Sequence, residues 1–204
     1  MGTLTPLAMS SALLTTRAQQ ILHAARELLE DESLEAFSMR RLAERLGIRA
    51  PSLYKHFPSK EGLEAALLSE FFAEQAELFE AAVRDTAEPL AAIARAYHAY
   101  ALENPELFRL FTERAIDRSL IMPGVEDRAR APSDTASGDP NLSRALWAFA
   151  HGMTILELSG RFPPGANLEA AWKRGLDAFT TAAARPADRR RPRQRRGSNT
   201  LPSA

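Results

Sequence analysis

The chain reads as all-α: a small N-terminal head of three helices followed by a larger helical body. Three observations predict this. Ala18, Ile21, Leu22, Ala25, Leu28 and Leu29 follow the i, i+3, i+4, i+7 spacing that buries one face of a helix. Residues 38–46 and the stretch after Gly47 make two short helix candidates joined by a glycine-containing turn. Residues 141–162 are apolar nearly all round (Leu142, Leu146, Trp147, Phe149, Met153, Ile155, Leu156, Leu158), so that helix needs cover on several sides. With 204 residues and 45% apolar content, one or two small domains with a full core can form.

Residues 1–15 read as a disordered arm. No basic residue precedes their apolar part, so a signal peptide is not expected, and Pro6 stands where N-myristoylation needs Ser or Thr. The first helix opens at Thr16, with Gln19 in capping-box spacing, and stops near Glu32 and Ser33. Ser38 caps the second, which turns Met39, Leu42, Ala43 and Leu46 toward the first. The third, about nine residues between the Gly47 turn and Pro58, keeps only Ile48, Leu53 and Phe57 as apolar anchors. Ser59 caps a fourth running from Lys60 toward Asp85. Its length of about 25 residues, or roughly 37 Å at about 1.5 Å per residue, can link head to body.

Pro89 starts a fifth helix (Leu90, Ile93, Ala94, Tyr97, Tyr100, Ala101), and Asn104 with Pro105 starts a sixth (Leu107, Phe108, Leu110, Phe111). Residues 118–140 contain Pro123, Gly124, Pro132, Gly138 and Pro140, and read as a long mobile loop in which a seventh helix is short or absent. The long apolar helix ends at Pro163, Pro164 and Gly165. Asn167 caps a last helix with Leu168, Ala171, Trp172, Leu176 and Phe179 on one stripe. Residues 185–204 form an Arg-rich tail, disordered by composition.

Composition excludes several chemistries. There is no cysteine, hence no disulfide framework, thiol nucleophile or thiolate metal site. Charges interrupt every apolar run well before about 18 residues, so no membrane span or membrane partner is expected and the chain reads as cytoplasmic. His23, His56, His98 and His151 have no ligand-like spacing, and no HExxH, phosphate loop or nucleophile elbow occurs. No metal, cofactor or catalytic residue is expected. The formal net charge of zero hides a strong asymmetry. Residues 38–60 hold six basic residues (Arg40, Arg41, Arg45, Arg49, Lys55, Lys60) against Glu44 alone. Residues 61–184 hold 11 basic against 19 acidic residues, and residues 185–196 seven Arg against one Asp. A basic patch on an acidic body aims the molecule at a polyanion through that patch.

The patch coincides with the two short helices. The second of them displays Arg49, Ser52, Tyr54, Lys55 and His56, which fits a helix-turn-helix that reads duplex DNA. Residues in the early part of a recognition helix enter the major groove. Arg49 and Ser52 are therefore candidates for base edges, Arg49 with a bidentate contact to guanine, while Ala50 and Pro51 are small enough to approach a thymine methyl. Over roughly residues 16–70 the segment resembles the N-terminal domain of TetR-family transcriptional regulators. That resemblance implies phosphate contacts from Ser38, Arg40, Tyr54, His56 and Lys60, and Lys55 beside them is expected to contact DNA as well. It also marks two departures: family members usually have Gly at Ser33, and often Ser or Thr at Arg49.

In the body, Trp147, His151 and Gly152 match the Trp-x-x-x-His-Gly signature of one C-terminal domain type in that family. Ala145, Ala148, Gly152 and Ser159 are small at near-helical spacing, which permits close helix approach. With Trp172, Leu176 and Phe179 of the last helix they are expected to pair with a second copy in a four-helix dimer interface. Tyr97, Tyr100, Phe108, Phe111, Trp147 and His151, with His98 and Glu157 as polar contacts, are expected to line a pocket for a small apolar effector.

The reading is a ligand-responsive homodimeric repressor on a palindromic operator, nucleoid-associated in a bacterial cytoplasm. Residues 1–15 form its arm, 16–60 the DNA-binding domain, 61–184 the effector and dimerisation domain, and 185–204 its tail. The rival reading is a helical small-molecule-binding protein or enzyme with an incidental basic patch, distinguished by failure to shift DNA in a gel.

Overall fold

The computed structural model describes residues 14–184; most of the expected arm and the whole Arg-rich tail lie outside the described residues. Among the described residues, nine helices follow one another with no strand between them. In chain order they are α1 (Thr16–Glu32), α2 (Met39–Arg45), α3 (Ala50–Tyr54), α4 (Lys60–Ala82), α5 (Pro89–Glu103), α6 (Pro105–Glu113), α7 (Val125–Ser137), α8 (Pro140–Leu158) and α9 (Leu168–Ala183). One continuous apolar cluster runs from Ile21 in α1 to Leu176 in α9.

Helix α1 opens at Thr16 as expected, but its cap lies one residue before the Thr16/Gln19 pair. Thr15 is the N-cap and accepts from Ala18 N at 3.2 Å, while the Gln19 amide donates to Leu14 O at 3.4 Å. The expected arm therefore surrenders its last residues to the helix start. Ser33 leaves α1 at φ 85°, a conformation that crowds a Cβ and suits glycine. Ser38 caps α2, accepting from Arg41 N at 3.3 Å. Gly47, at φ 63°, then turns the chain into α3. Helix α3 has five residues rather than about nine, because the chain tightens after Tyr54: His56 N and Phe57 N both bond to Leu53 O. Leu53 and Phe57 anchor it in the head core.

Helix α4 spans 23 residues and is the axle of the body. Leu67, Leu68, Phe71, Phe72, Gln75, Ala76 and Phe79 are buried on several sides, against α5, α6 and α7. The expected loop over residues 118–140 instead contains α7, 13 residues long. The glycines read as breakers bound this helix, with Gly124 and Gly138 both left-handed at its ends. Pro132 sits inside it, a placement that costs about 3 kcal/mol in an isolated helix. Packing offsets that cost. Val125, Ala129, Ser133 and Ser137 form a buried stripe small enough to let α7 lie close on α4. Arg128 adds a two-point contact to Glu80 at 2.8 and 2.9 Å.

Helix α8 is covered less than its composition predicts. Within this chain only Ser143, Leu146, Ala150 and Thr154 are buried, on one stripe. Trp147 is 50% exposed, Leu156 42% and Leu158 37%. Helix α9 is capped by Asn167, which accepts from Ala170 N at 2.9 Å. Gly175 admits the Phe149 ring across α9; a Cβ there would lie 2.2 Å from that ring.

The head is latched to the body by polar groups. Arg26 of α1 is ion-paired with Glu74 of α4, donates to Asn104 Oδ1 at 2.8 Å and reaches Tyr100 Oη at 3.3 Å. The Tyr100 hydroxyl donates to the second Glu74 oxygen. Glu30 of α1 accepts from Glu106 N at 3.2 Å and Leu107 N at 2.9 Å, capping α6 from outside. Leu34 N donates back to Glu106 at 2.7 Å, and Arg109 of α6 pairs with Glu35.

Removing Arg26 strands the Glu74 carboxylate among half-buried partners. Arg26→Leu is expected to lower stability by about 2–4 kcal/mol, read from the urea midpoint at unchanged slope.

Candidate nucleic-acid interface and effector cavity

The basic patch divides once its contacts are resolved. Arg41 Nε donates to Glu32 at 2.7 Å, and Arg45 to Asp31 at 2.8 Å, so both tie α2 onto α1. Arg40 lies 3.6 Å from Glu44 on its own helix and stays largely exposed. Lys60 folds back, 3.4 Å from Glu64 and 5.4 Å from the centre of the Phe37 ring. Among the described residues, Arg49 and Lys55 are in no ion pair.

These unpaired cations frame α3. Arg49 is its N-cap residue and contributes no side-chain capping bond, which leaves the guanidinium exposed at the leading end of the helix. Pro51, Ser52, Tyr54 and Lys55 are exposed, with Tyr54 at 47%, while Ala50 and His56 are half-buried. Ser38 uses its oxygen to cap α2 and keeps its own proton for another acceptor. The face thus offers a guanidinium, three hydroxyls (Ser38, Ser52 and Tyr54) and an ammonium around a five-residue helix that packs through Leu53. Such a set can donate to base edges and phosphates together.

A cavity of about 220 Å³ opens among helices α4 to α8. Of the expected pocket residues, Tyr97, Phe111 and Trp147 line it. His151 stands behind them: its Nδ1 is 2.7 Å from Tyr97 Oη, and its ring stacks on Trp147 with centroids 5.1 Å apart. Phe108 is core, and Tyr100 belongs to the latch. His98 and Glu157 do pair, at 2.8 Å, but away from the cavity, with the His98 ring 4.7 Å from Trp172.

Several liners escaped the sequence reading. Ser133 and Ser143, whose hydroxyls bond at 2.9 Å, belong to α7 and the first turn of α8, in and beside the stretch read as a loop. Gln75 was legible in principle. It is a lone amide in phase with Phe72 and Phe79 on α4, and is 5% exposed. Arg118, Arg130 and Arg144 with Glu126 form the solvent-facing rim.

The expected pairing surface also divides. Ala145, Ala148 and Ser159 are exposed and Gly152 is half-buried on α8, and a Cβ at Gly152 would meet nothing within 4 Å. Trp172 and Leu176, by contrast, are buried within this chain, because the apolar stripe of α9 faces α5 and α8 of its own subunit. Phe179 packs on Phe149, with ring centroids 5.6 Å apart. Among the described residues no His, Asp and Glu side chains cluster to hold a metal, and no helix is long and apolar enough to cross a membrane.

Two family models match the chain. Bacterial regulatory proteins, tetR family, covers residues 21–67, and the tetracyclin repressor-like C-terminal domain covers residues 90–179. The tetracycline repressor protein class C of Escherichia coli is 47% identical over 49 residues, 24% of this chain and 22% of that protein, so the match spans under a quarter of its length. A protein of unknown function from Rhodococcus sp. RHA1 superposes with a TM-score of 0.66 at 23% identity, over 84% of this chain and 97% of that one. BioQ, solved with its double-stranded DNA operator, gives a TM-score of 0.57 at 20% identity, over 83% of this chain and 99% of that one.

Burial holds the His151 imidazole below its usual pKa and the Tyr97 phenol above its own, so both are neutral at pH 7. An unfolded chain therefore takes up the His151 proton first. Stability is expected to be full above about pH 6.5 and to fall as pH drops below it. Thermal midpoints between pH 7.5 and 5.5 should decline less in His151→Gln than in the wild type.

Proposed function

Because the chain belongs to the tetR family of bacterial regulatory proteins, we propose that it is a DNA-binding transcriptional repressor released by a small ligand. The observation that carries this is the face of α3, where Arg49, Ser52, Tyr54 and Lys55 stand exposed on a helix anchored by Leu53. Each subunit places α3 in one major groove of a near-palindromic operator, with half-sites about one helical turn or a multiple apart. BioQ, of like fold, has been solved on operator DNA, which supports the same use of this head. Residues 16–60 are the reader, residues 61–184 the effector and dimerisation body, and the setting is a bacterial cytoplasm.

The exposed side of α8 supports dimerisation. Ala145, Ala148, Gly152, Leu156 and Ser159 share one face, and Leu156 leaves apolar area on it that one chain keeps in water. The partner is a second copy, joined through α8 and the outer side of α9. The Trp147, His151 and Gly152 spacing supports a body of the Trp-x-x-x-His-Gly type, with His151 and Trp147 stacked beside the cavity and Gly152 turned to the partner. The ligand has an apolar body that fits among Tyr97, Phe111 and Trp147. Helix α6 supplies a route for release: Phe111 lines the cavity, while the α6 N-terminus is capped by Glu30 of the head. A ligand that binds better when the heads are misplaced shifts the population away from the DNA-competent form.

Fluorescence anisotropy with DNA from upstream of the chain's own gene tests this reading. Specific binding should weaken steeply with salt as several phosphates are neutralised, and its absence at low salt would favour the incidental-patch alternative. Arg49→Ala should cost about 1–3 kcal/mol at particular operator bases if the contact is bidentate; an equal loss on all sequences would assign Arg49 to phosphate. Gly152→Leu should weaken the dimer in sedimentation velocity while the subunit stays folded, since space is open at that position within one chain.

A further inference from the structure

The cavity has one polar group with nothing to bond. The Gln75 side chain is 5% exposed, lines the cavity, and its Nε2 has no hydrogen-bond partner. Every other buried polar liner is engaged: Ser143 donates to Ser133 at 2.9 Å, and Tyr97 bonds His151 at 2.7 Å. The cavity wall is otherwise largely apolar, with Phe72, Phe79, Ile93 and Leu146 among its residues. A buried amide left without a partner is unfavourable, and replacing it with an apolar group of like shape would relieve that cost. A chain built only to pack would place leucine or methionine there.

Resting on the effector reading above, we propose that the cavity binds an uncharged, aromatic-bodied molecule carrying a carbonyl oxygen, which accepts a hydrogen bond from the Gln75 amide. Charge decides against an acid at that depth. A carboxylate beside Gln75 would be buried without a cation, because the arginine liners Arg118, Arg130 and Arg144 lie at the solvent-facing rim. Arg130 is further occupied by Asp127 at 2.9 Å and Asp134 at 3.0 Å. The cavity volume of about 220 Å³ lies below the range of about 300–1,000 Å³ usual for drug-sized ligands, which calls for a compact molecule.

Calorimetric titration of the full-length protein with acetophenone, ethylbenzene and benzoate tests this without DNA, so its outcome is independent of whether the chain binds an operator. The ketone should bind at least about fivefold more tightly than the hydrocarbon, and more tightly than the acid. Gln75→Leu should abolish that preference, bind ethylbenzene at least as well as the wild type, and raise the thermal midpoint of the free protein. Equal affinity for ketone and hydrocarbon, a preference that survives in Gln75→Leu, tighter binding of benzoate, or no detectable binding of acetophenone would each overturn the assignment. If Gln75→Leu fails to fold, Gln75→Met serves as the same comparison.

Discussion

Arg26 is the side chain that orients the two halves of this protein on one another. The three-helix head shares one apolar cluster with the body. Its position over the body is fixed by a guanidinium that simultaneously satisfies Glu74 on α4, Tyr100 on α5 and Asn104 at the α5–α6 junction. Charge-assisted bonds of this kind are directional, so they set orientation where apolar contact alone sets only proximity. Burial and the neighbouring Glu74 anion raise the Tyr100 pKa, keeping its phenol protonated as a donor to that carboxylate. Glu30 completes the joint by capping α6.

That joint gives the cavity its relevance. Helix α6 carries Phe111 on the cavity wall while its first turn is bonded to α1, and α4 carries Gln75 and Phe79 on the wall while Glu74 holds Arg26. The cavity and the head are therefore bridged by the same two helices. A change in how α4 or α6 packs cannot be absorbed by a slack connection, because the polar contacts at the joint have discrete partners.

Much of this was legible in the sequence. Periodicity identified α1, the caps at Ser38, Ser59 and Asn167 located three helix starts, and Gly47 marked the turn before α3. The exposure of Arg49, Tyr54 and Lys55 follows from a helix with so few apolar anchors. What could not be read had a common cause: tertiary packing outweighed local signals. Helix α7 survives an internal Pro132 because its small stripe lies on α4, so breaker counting erased a helix that supplies the cavity wall. Trp172 and Leu176 looked like partner-facing residues because an amphipathic stripe does not reveal which surface it faces. Two of the six cations in the basic patch are tied up within the head, since Arg41 and Arg45 find acids on α1 that lie far enough back in sequence to escape a local count.

The claim on which the functional account stands is that two α3 helices of one dimer occupy successive major grooves. Hydroxyl-radical footprinting on the upstream region of the chain's own gene measures this most directly. The account predicts two protected windows, related by twofold symmetry and separated by about one helical turn or a multiple of it. One window per bound molecule, or protection that drifts along the DNA with no fixed spacing, would contradict it.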